Sequence, residues 1–425
     1  MSGPEAPSPG LRQVLRHGRP RGALQPTTRG GRVSGRKPAA VAPTSTSPAP
    51  RLEIDLVKLA ANTRALAGCC RAAGLELHAV TKVLRGDPAV ARAFLAGGAA
   101  GLADSRLSNL RRLQALRGVG AGGTADRRVP FLLLREPSPA DAPAAVALSD
   151  GVLCASLEVA ESLARATGPD RPYEVLLTVD FGDLREGFLP EEVPDAAVQF
   201  EERMARAAGR SDPSRRAHVA GLAANMACFS GVVPTPEHLE HLLTLARETG
   251  ERLGRLLRVS AGNTAVLPLL VRGERLPDGL HDLRVGEGIV LGRDSLRREP
   301  LPGCHLDAVT FWARIIEIRK KPSAPVGELA EDAFGRRPVF VDRGLRLRAV
   351  VAAGRQDIVP EGLKPLAGGI EVVGATSDHL VLDIEDYPGR LSVGEEVGFL
   401  VNYACLLQAS TSPDVVKVHV GDVRE

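Results

Sequence analysis

The stretch Leu77–Gly98, LHAVTKVLRGDPAVARAFLAGG, carries the repeating unit of the chain. A short apolar run ends at Lys82, a turn of Arg85, Gly86 and Asp87 follows, and Pro88 opens an amphipathic segment that stops at two glycines. An apolar run, a proline at a helix start and a glycine past its end predict strand, loop and helix in that order. The unit recurs. Strands are expected at LHAVTK, AAGLADS, PFLLLR, GVLCAS, EVLLTVDF, HVAGLAAN, LLRVSAGN and DLRVGEGIVLG. Helices are expected between them, as at SRLSNLRRLQAL, SLEVAESLARAT and PTPEHLEHLLTLARETGERLG. About eight such repeats in roughly 230 residues predict an α/β fold, a closed (β/α)8 TIM-like barrel rather than an open sheet.

Past Leu296 the rhythm changes. AVTFWARIIEIRKK, RPVFVDRG, LRAVVAAG, IEVVGATSDHLVLDIED and EEVGFLVNY read as strands separated by turn residues, with no convincing long helix. The expected division is a tail over 1–50, a barrel over 51–297 and a C-terminal all-β domain over 298–425. The first 50 residues are rich in Pro, Gly, Ser, Thr and Arg and have little to pack, so they read as a disordered extension. They hold eight Lys and Arg against the single acid Glu5; with a net charge of +3 overall, the remainder is near −4. A mildly acidic body gives no electrostatic case for nucleic acid. No apolar run of about 18 residues exists to span a membrane. The six cysteines, Cys69, Cys70, Cys154, Cys228, Cys304 and Cys405, have neither CxxC nor metal-ligand spacing. They read as reduced thiols of a cytoplasmic protein, and no metal site is expected.

In a barrel of this kind, active groups sit at the C-terminal ends of the strands. Lys82 stands there on the first strand. Asp104, Ser105, Arg135, Ser156, Asp180, Arg185, Asn225, Ser260, Asn263, Thr264 and Arg284 stand at or near the ends of the others. Any one of them alone is an ordinary polar strand cap; their recurrence across the repeats points to one functional mouth. A lysine amine at a strand's inner end, partly desolvated and among other cations, suits a Schiff base with an aldehyde. Pyridoxal 5'-phosphate (PLP) is the aldehyde that fits a barrel with phosphate loops, and SAGNT (Ser260–Thr264) has the small residues and hydroxyls for such a loop.

A longer series of words points the same way: VTKVLRGDP, LADSRLSNL, VDFGDLREG, AANMACFSGVVPT, SAGNT, LRVGEGIVLGRD, GELAEDAFGRRPVFVDRG, GRQDIVPEGL, GATSDHLVLDI and NYACLLQASTSPDV. In this order, over about residues 51–420, the chain resembles the fold-type III PLP enzymes of the alanine racemase superfamily. It is most similar to the alanine/ornithine racemase family, on its ornithine racemase branch. The resemblance implies a cytoplasmic PLP-dependent racemase working as a homodimer with composite sites, on a basic amino acid, ornithine first. It implies that Lys82 holds the cofactor and is one of two bases. Arg185 matches an arginine near the cofactor's phenolic oxygen and the substrate carboxylate. Asn225 stands where alanine racemases place a histidine against the ring. Ser260, Asn263, Thr264 and Gly286 match the phosphate loop, and Tyr403 a phosphate-binding tyrosine. Arg284 matches an arginine at the pyridine nitrogen. A guanidinium keeps its proton, so the ring stays unprotonated and the electron sink is weaker, which suits racemisation better than transamination. Glu287 is a candidate to orient Arg284.

One departure stands out. Alanine racemases take the second base as a tyrosine from the partner's β-domain, but the matching stretch here, KKPSAPVGELAEDAFG, has none. The chain holds only three tyrosines, Tyr173, Tyr387 and Tyr403. The second base is therefore sought among His379, Asp378, Cys228 and Asp332, with His379 first because an imidazole is the side chain type best suited to general-base work near neutrality. Acidic β-domain residues, Asp332 and Asp378 foremost and Glu331, Asp342 and Asp357 beside them, are candidates to receive a distal ammonium. Other readings stay open: a PLP homeostasis protein, against which the β-domain speaks; a fold-type III diamino-acid decarboxylase; and an alanine or broad-specificity racemase.

Overall fold

The computed structural model describes residues 40–42, 48–118, 120–121, 124–168, 171–209 and 216–422. The expected disordered tail lies, for residues 1–39 and 43–47, outside the described residues. Val41–Ala42, inside that stretch, form a two-residue strand against Val397 and Glu396.

All eight expected strands form, and they close a barrel. In chain order they are Glu76–Val80, Gly101–Asp104, Phe131–Leu133, Gly151–Cys154, Tyr173–Val179, Ala217–Ala224, Arg258–Asn263 and Asp282–Val285. Each pairs in parallel with the next, and the last closes on the first with Asp282 opposite Glu76 and Val285 opposite Ala79. Helices return the chain on the outside. Pro88 opens Pro88–Ala96 with Asp87 as its cap, and Pro236 opens Pro236–Leu253 with Thr235 as its cap. In both, a side-chain oxygen meets amides that have no partner within the helix, and proline sits where no amide is needed.

The barrel's interior holds a small apolar plug of Val80, Ala103, Leu132, Leu153, Leu176 and Ala223. The larger core lies between strands and helices and runs on into the C-terminal part. Gly221 lets two strands come together: a Cβ there would stand 2.1 Å from the carbonyl oxygen of Arg258.

The C-terminal part is an antiparallel β domain built on the 14-residue strand Val309–Pro322. That strand pairs with Leu345–Ala352 at one end and with Glu396–Val401 and Arg51–Asp55 at the other. Three sequence expectations change here. Arg51–Asp55, placed in the barrel span, is a strand of the C-terminal sheet, where it pairs in parallel with Val416–Val420. Arg51 reaches the fully buried carboxylate of Glu396 at 2.7 Å, an ion pair inside that sheet. RPVFVDRG forms no strand, and Val339 and Val341 in it are 93% and 72% exposed. Finally, a helix, Tyr403–Thr411, follows directly on Glu396–Val401, with Asn402 Oδ1 capping the amide of Cys405 at 2.9 Å. It docks on the turn Lys82–Leu84, where Ser410 Oγ donates to the carbonyl of Val83. Among the described residues no helix is long and apolar enough to cross a membrane.

Candidate active site

A cavity of about 570 Å³ opens at the C-terminal ends of the barrel strands, within the usual size of a small-molecule site. Its floor is apolar plug, with Val80, Leu134 and Leu153 in its wall. Of the residues named from sequence, Lys82, Arg185, Asn225, Cys228, Asn263, Thr264, Arg284, Gly286 and Tyr403 all line it.

Lys82 begins the 3-10 turn Lys82–Leu84 directly after the first barrel strand. Its neighbour Thr81 donates to Asp104 Oδ2 at 2.6 Å, and Asp104 Oδ1 accepts from the amide of Arg106 and from Asn109 Nδ2, both at 2.9 Å. Burial raises the Asp104 carboxyl above its usual value, against those hydrogen bonds. Asp104 thus serves as the bolt under the lysine turn and does not line the cavity. Among the described residues Lys82 makes no ion pair, so its amine is uncommitted.

Arg284 is buried, and its guanidinium donates to Ser260 Oγ and to the carbonyl of Ala224. Burial pulls its pKa down to about 10, which leaves it a cation at neutral pH. Two assignments change at this point. Ser260, expected in the phosphate loop, is fully buried beneath Arg284 and bonds Asp282, so it holds the arginine and does not face the cavity. Glu287, a candidate to orient Arg284, is paired with Arg298. Asp282 supports Arg284 through Ser260, whose hydroxyl donates to it, and it also takes Arg258 Nη2 at 2.9 Å; although burial works to raise its carboxyl, His78, Arg258 and Arg284 hold it below the usual range.

Asn263 Nδ2 donates to Asn225 Oδ1 at 2.8 Å and to the carbonyl of Met226 at 2.9 Å. This leaves Asn225 Nδ2 buried without a hydrogen-bond partner among the described residues. A buried orphan donor in a cavity wall is costly unless a ligand supplies the acceptor. Gly286 lets the wall close on the first strand, since a Cβ there would come within 3.1 Å of Val80 Cβ. Tyr403 reaches the cavity as the first residue of the docked helix, and burial raises its hydroxyl to about 12, so it is a neutral donor. The other two tyrosines serve structure: Tyr173 is buried against Ser149 Oγ at 2.7 Å, and Tyr387 packs on the core.

Arg185 and Cys228 come together from two different loops. Arg185 Nη1 donates to Cys228 Sγ at 3.3 Å. Asp183 holds both loops in place. Its Oδ1 accepts from the amides of Cys228, Phe229 and Ser230 at 3.0–3.1 Å, and its Oδ2 lies 3.8 Å from Arg185 Nε. Leu184 and Ala227, at the two loop tips, both have positive φ, 56° and 55°. Positive φ in residues with a Cβ costs energy, and surrounding bonds must enforce it. Nothing in the sequence pattern marks Asp183 for this role.

His379, Asp378 and Asp332 do not line this cavity in their own chain. His379 is exposed at the start of strand His379–Asp383, and Asp378 accepts from Gln356 Nε2 at 2.7 Å in the turn before it. Asp332 caps its own loop through the amides of Phe334 and Arg336, both at 2.9 Å. The carboxylates that line the cavity are instead Glu136, Glu186 and Glu287.

The family "Alanine racemase, N-terminal domain" matches residues 54–293, more than half of the chain. The chain belongs to this family. It is 36% identical over 372 residues to a lysine racemase of Thermotoga maritima, covering 87% of this chain and 98% of the relative. It is 30% identical over 370 residues to an ornithine racemase of Acetoanaerobium sticklandii, covering 87% of this chain and 99% of the relative. Among solved structures, alanine racemase from E. faecalis superposes with a TM-score of 0.59 at 19% identity over 88% of this chain and 98% of that one. A D-threo-3-hydroxyaspartate dehydratase from Delftia sp. HT23 superposes at 0.61 with 18% identity, over 88% of this chain and 95% of that one. These likenesses bear out the barrel-plus-β-domain fold. By its kinship the chain is an enzyme of the amino-acid racemase class.

Proposed function

We propose that the chain is a PLP-dependent racemase of basic amino acids, with ornithine and lysine as its substrates. The observation that carries the cofactor is the meeting of an uncommitted lysine amine, a buried but still charged Arg284 and the orphan donor Asn225 Nδ2 in one cavity. The residues fit PLP by chemistry: Lys82 offers the amine for its aldehyde, Thr264 and Tyr403 hydroxyls for its phosphate, Asn225 a donor, and Arg284 a cation for its ring nitrogen. Once bound, PLP supplies the electron-withdrawing ring that acidifies the α-hydrogen of an amino acid. Arg185 binds the substrate carboxylate. Lys82 Nζ takes or returns a proton at the α-carbon, and Cys228 Sγ does so from the other side. Cys228 takes precedence over His379 and Asp378 because it alone of the three stands in the cavity of its own chain. A proton carrier needs reach before it needs a favourable pKa.

Basic substrates are supported by the two curated relatives, one a lysine and one an ornithine racemase. Reducing the PLP-loaded protein with borohydride should fix the cofactor on Lys82, read as added mass on the peptide carrying it, with activity lost in step. Lys82→Ala should take no label and lose turnover by at least about a thousandfold. Full activity with Lys82 unlabelled would end the reading.

A further inference from the structure

The cavity wall carries five cationic side chains, Lys82, Arg135, Arg185, Arg284 and Arg298, against the three carboxylates Glu136, Glu186 and Glu287. That excess suits the two anions the proposed reaction brings, a phosphate and an α-carboxylate. It makes any carboxylate left without a cation a separate matter. Glu186 is taken by Arg185 Nη2 at 2.7 Å, and Glu287 by Arg298. Glu136 differs. No basic side chain lies within ion-pairing distance of it among the described residues.

Glu136 comes just after the third barrel strand, Phe131–Leu133, where the fold presents working groups. Its Oε1 is fixed by three donors from the next strand's end: the amide of Ser156 at 2.7 Å, the amide of Ala155 at 3.2 Å, and the thiol of Cys154 at 2.9 Å. Burial raises the Cys154 thiol well above its ordinary value, and the carboxylate beside it adds to this, so the thiol stays protonated and donates. All three bonds fall on one oxygen. Glu136 Oε2 accepts none among the described residues, and the half-buried side chain stands in the cavity wall. The result is a rigidly held carboxylate with one oxygen free, in a site otherwise crowded with cations.

We propose that Glu136 is the specificity determinant that receives the distal ammonium of a basic amino-acid substrate through Oε2. The inference rests on the racemase reading and replaces Asp332 and Asp378 in the role expected of them. A free carboxylate held by backbone amides needs no rearrangement to meet an ammonium, and a neutral side chain of equal length leaves it unpaired.

Glu136→Gln separates this role from simple loop capping. Glutamine keeps an acceptor for the amides of Ala155 and Ser156 and removes only the charge. The measurement is kcat/KM for L-ornithine against L-norvaline and for L-lysine against L-norleucine, each pair alike except for the ammonium. Calorimetric binding of the same four amino acids to PLP-loaded protein gives a readout that needs no turnover. In Glu136→Gln the ornithine-to-norvaline and lysine-to-norleucine ratios should fall about 10- to 100-fold, in turnover and in binding, as for loss of a charge-assisted hydrogen bond. Glu136→Asp should fall between the two. A wild type that racemises ornithine or lysine, with ratios unchanged in Glu136→Gln, would overturn the assignment, as would equal losses on charged and neutral members of a pair. A wild type that racemises and binds neither basic amino acid would instead overturn the reading on which it rests.

Discussion

A lysine at the end of an apolar strand is explained by what surrounds it: the Thr81–Asp104 bond holds its turn, and the cavity leaves its amine uncommitted. Most of the site could be read from single residues, because the barrel rule places strand ends at the mouth and Lys82, Arg185, Asn225, Thr264 and Arg284 all stand there. What escaped was the difference between facing the mouth and supporting it. Ser260 lies three residues before Asn263 on the same strand, so it sits deeper in the barrel and Arg284 covers it. Glu136 escapes a sequence reading because it stands one residue past Arg135, in a loop whose course only the folded chain shows. Acidic residues near a turn, such as Asp332, look alike in sequence whether they bind a ligand or their own loop amides. The residue-scale prediction concerns Cys228. With Lys82 on one side of the α-carbon and Cys228 on the other, Cys228→Ala should still exchange the α-hydrogen of one ornithine enantiomer with deuterated water. Exchange of the other enantiomer should fall by about 10²–10⁴-fold, read by mass spectrometry of each enantiomer. Normal exchange of both would return the role to His379 or Asp378 acting from a second chain.

At the scale of elements, eight strands were legible because each is a short apolar run with turn residues at a regular spacing. Arg51–Asp55 fell in the barrel span because it opens the ordered body directly before a helix, and five residues do not show which sheet they join. The helix Tyr403–Thr411 was missed because its first residues continue the apolar run of the strand before it, and only the Asn402 cap marks the change. Two loops decide whether the site is assembled, and Asp183 decides the loops. Three backbone amides and Ser230 Oγ gather on its Oδ1, and they hold its carboxyl below the usual value of 3.8 although burial works in the other direction. A carboxylate with a depressed folded pKa contributes stability above its unfolded value and loses it as the pH falls through the folded one. Asp183→Asn should therefore destabilise the protein by about 1–3 kcal/mol at pH 7. Urea unfolding should show the gap to wild type shrinking as the pH drops below about 4, near the unfolded carboxyl's value. The same variant should lower kcat about tenfold or more, because Arg185 and Cys228 lose their common anchor. A gap of constant size down to acid pH would mean that Asp183 acts by shape alone.

At the scale of the whole molecule, barrel and β domain share a core, and the helix Tyr403–Thr411 of the second docks on the lysine turn of the first, so the cavity is a product of both. Tyr403 is brought to the cavity by the C-terminal part, and the same part docks on the lysine turn. If the homodimer expected from the sequence forms, the exposed apolar side chains of Val339, Phe340 and Val341 are the surface predicted to meet the second copy. Light scattering should give about twice 44.8 kDa, and Val339→Asp with Val341→Asp should move the mass toward 44.8 kDa and reduce turnover. An unchanged dimer mass would place the interface elsewhere. The central claim, racemisation of a basic amino acid, has one direct test. PLP-loaded protein is incubated in deuterated water with L-ornithine, L-lysine or L-alanine, and chirality, α-deuterium and released carbon dioxide are followed together. Ornithine and lysine should each approach an equal mixture of enantiomers with one deuterium at the α-carbon and no carbon dioxide, well ahead of alanine. Carbon dioxide with loss of the carboxylate, or basic amino acids that keep their handedness, would contradict the account.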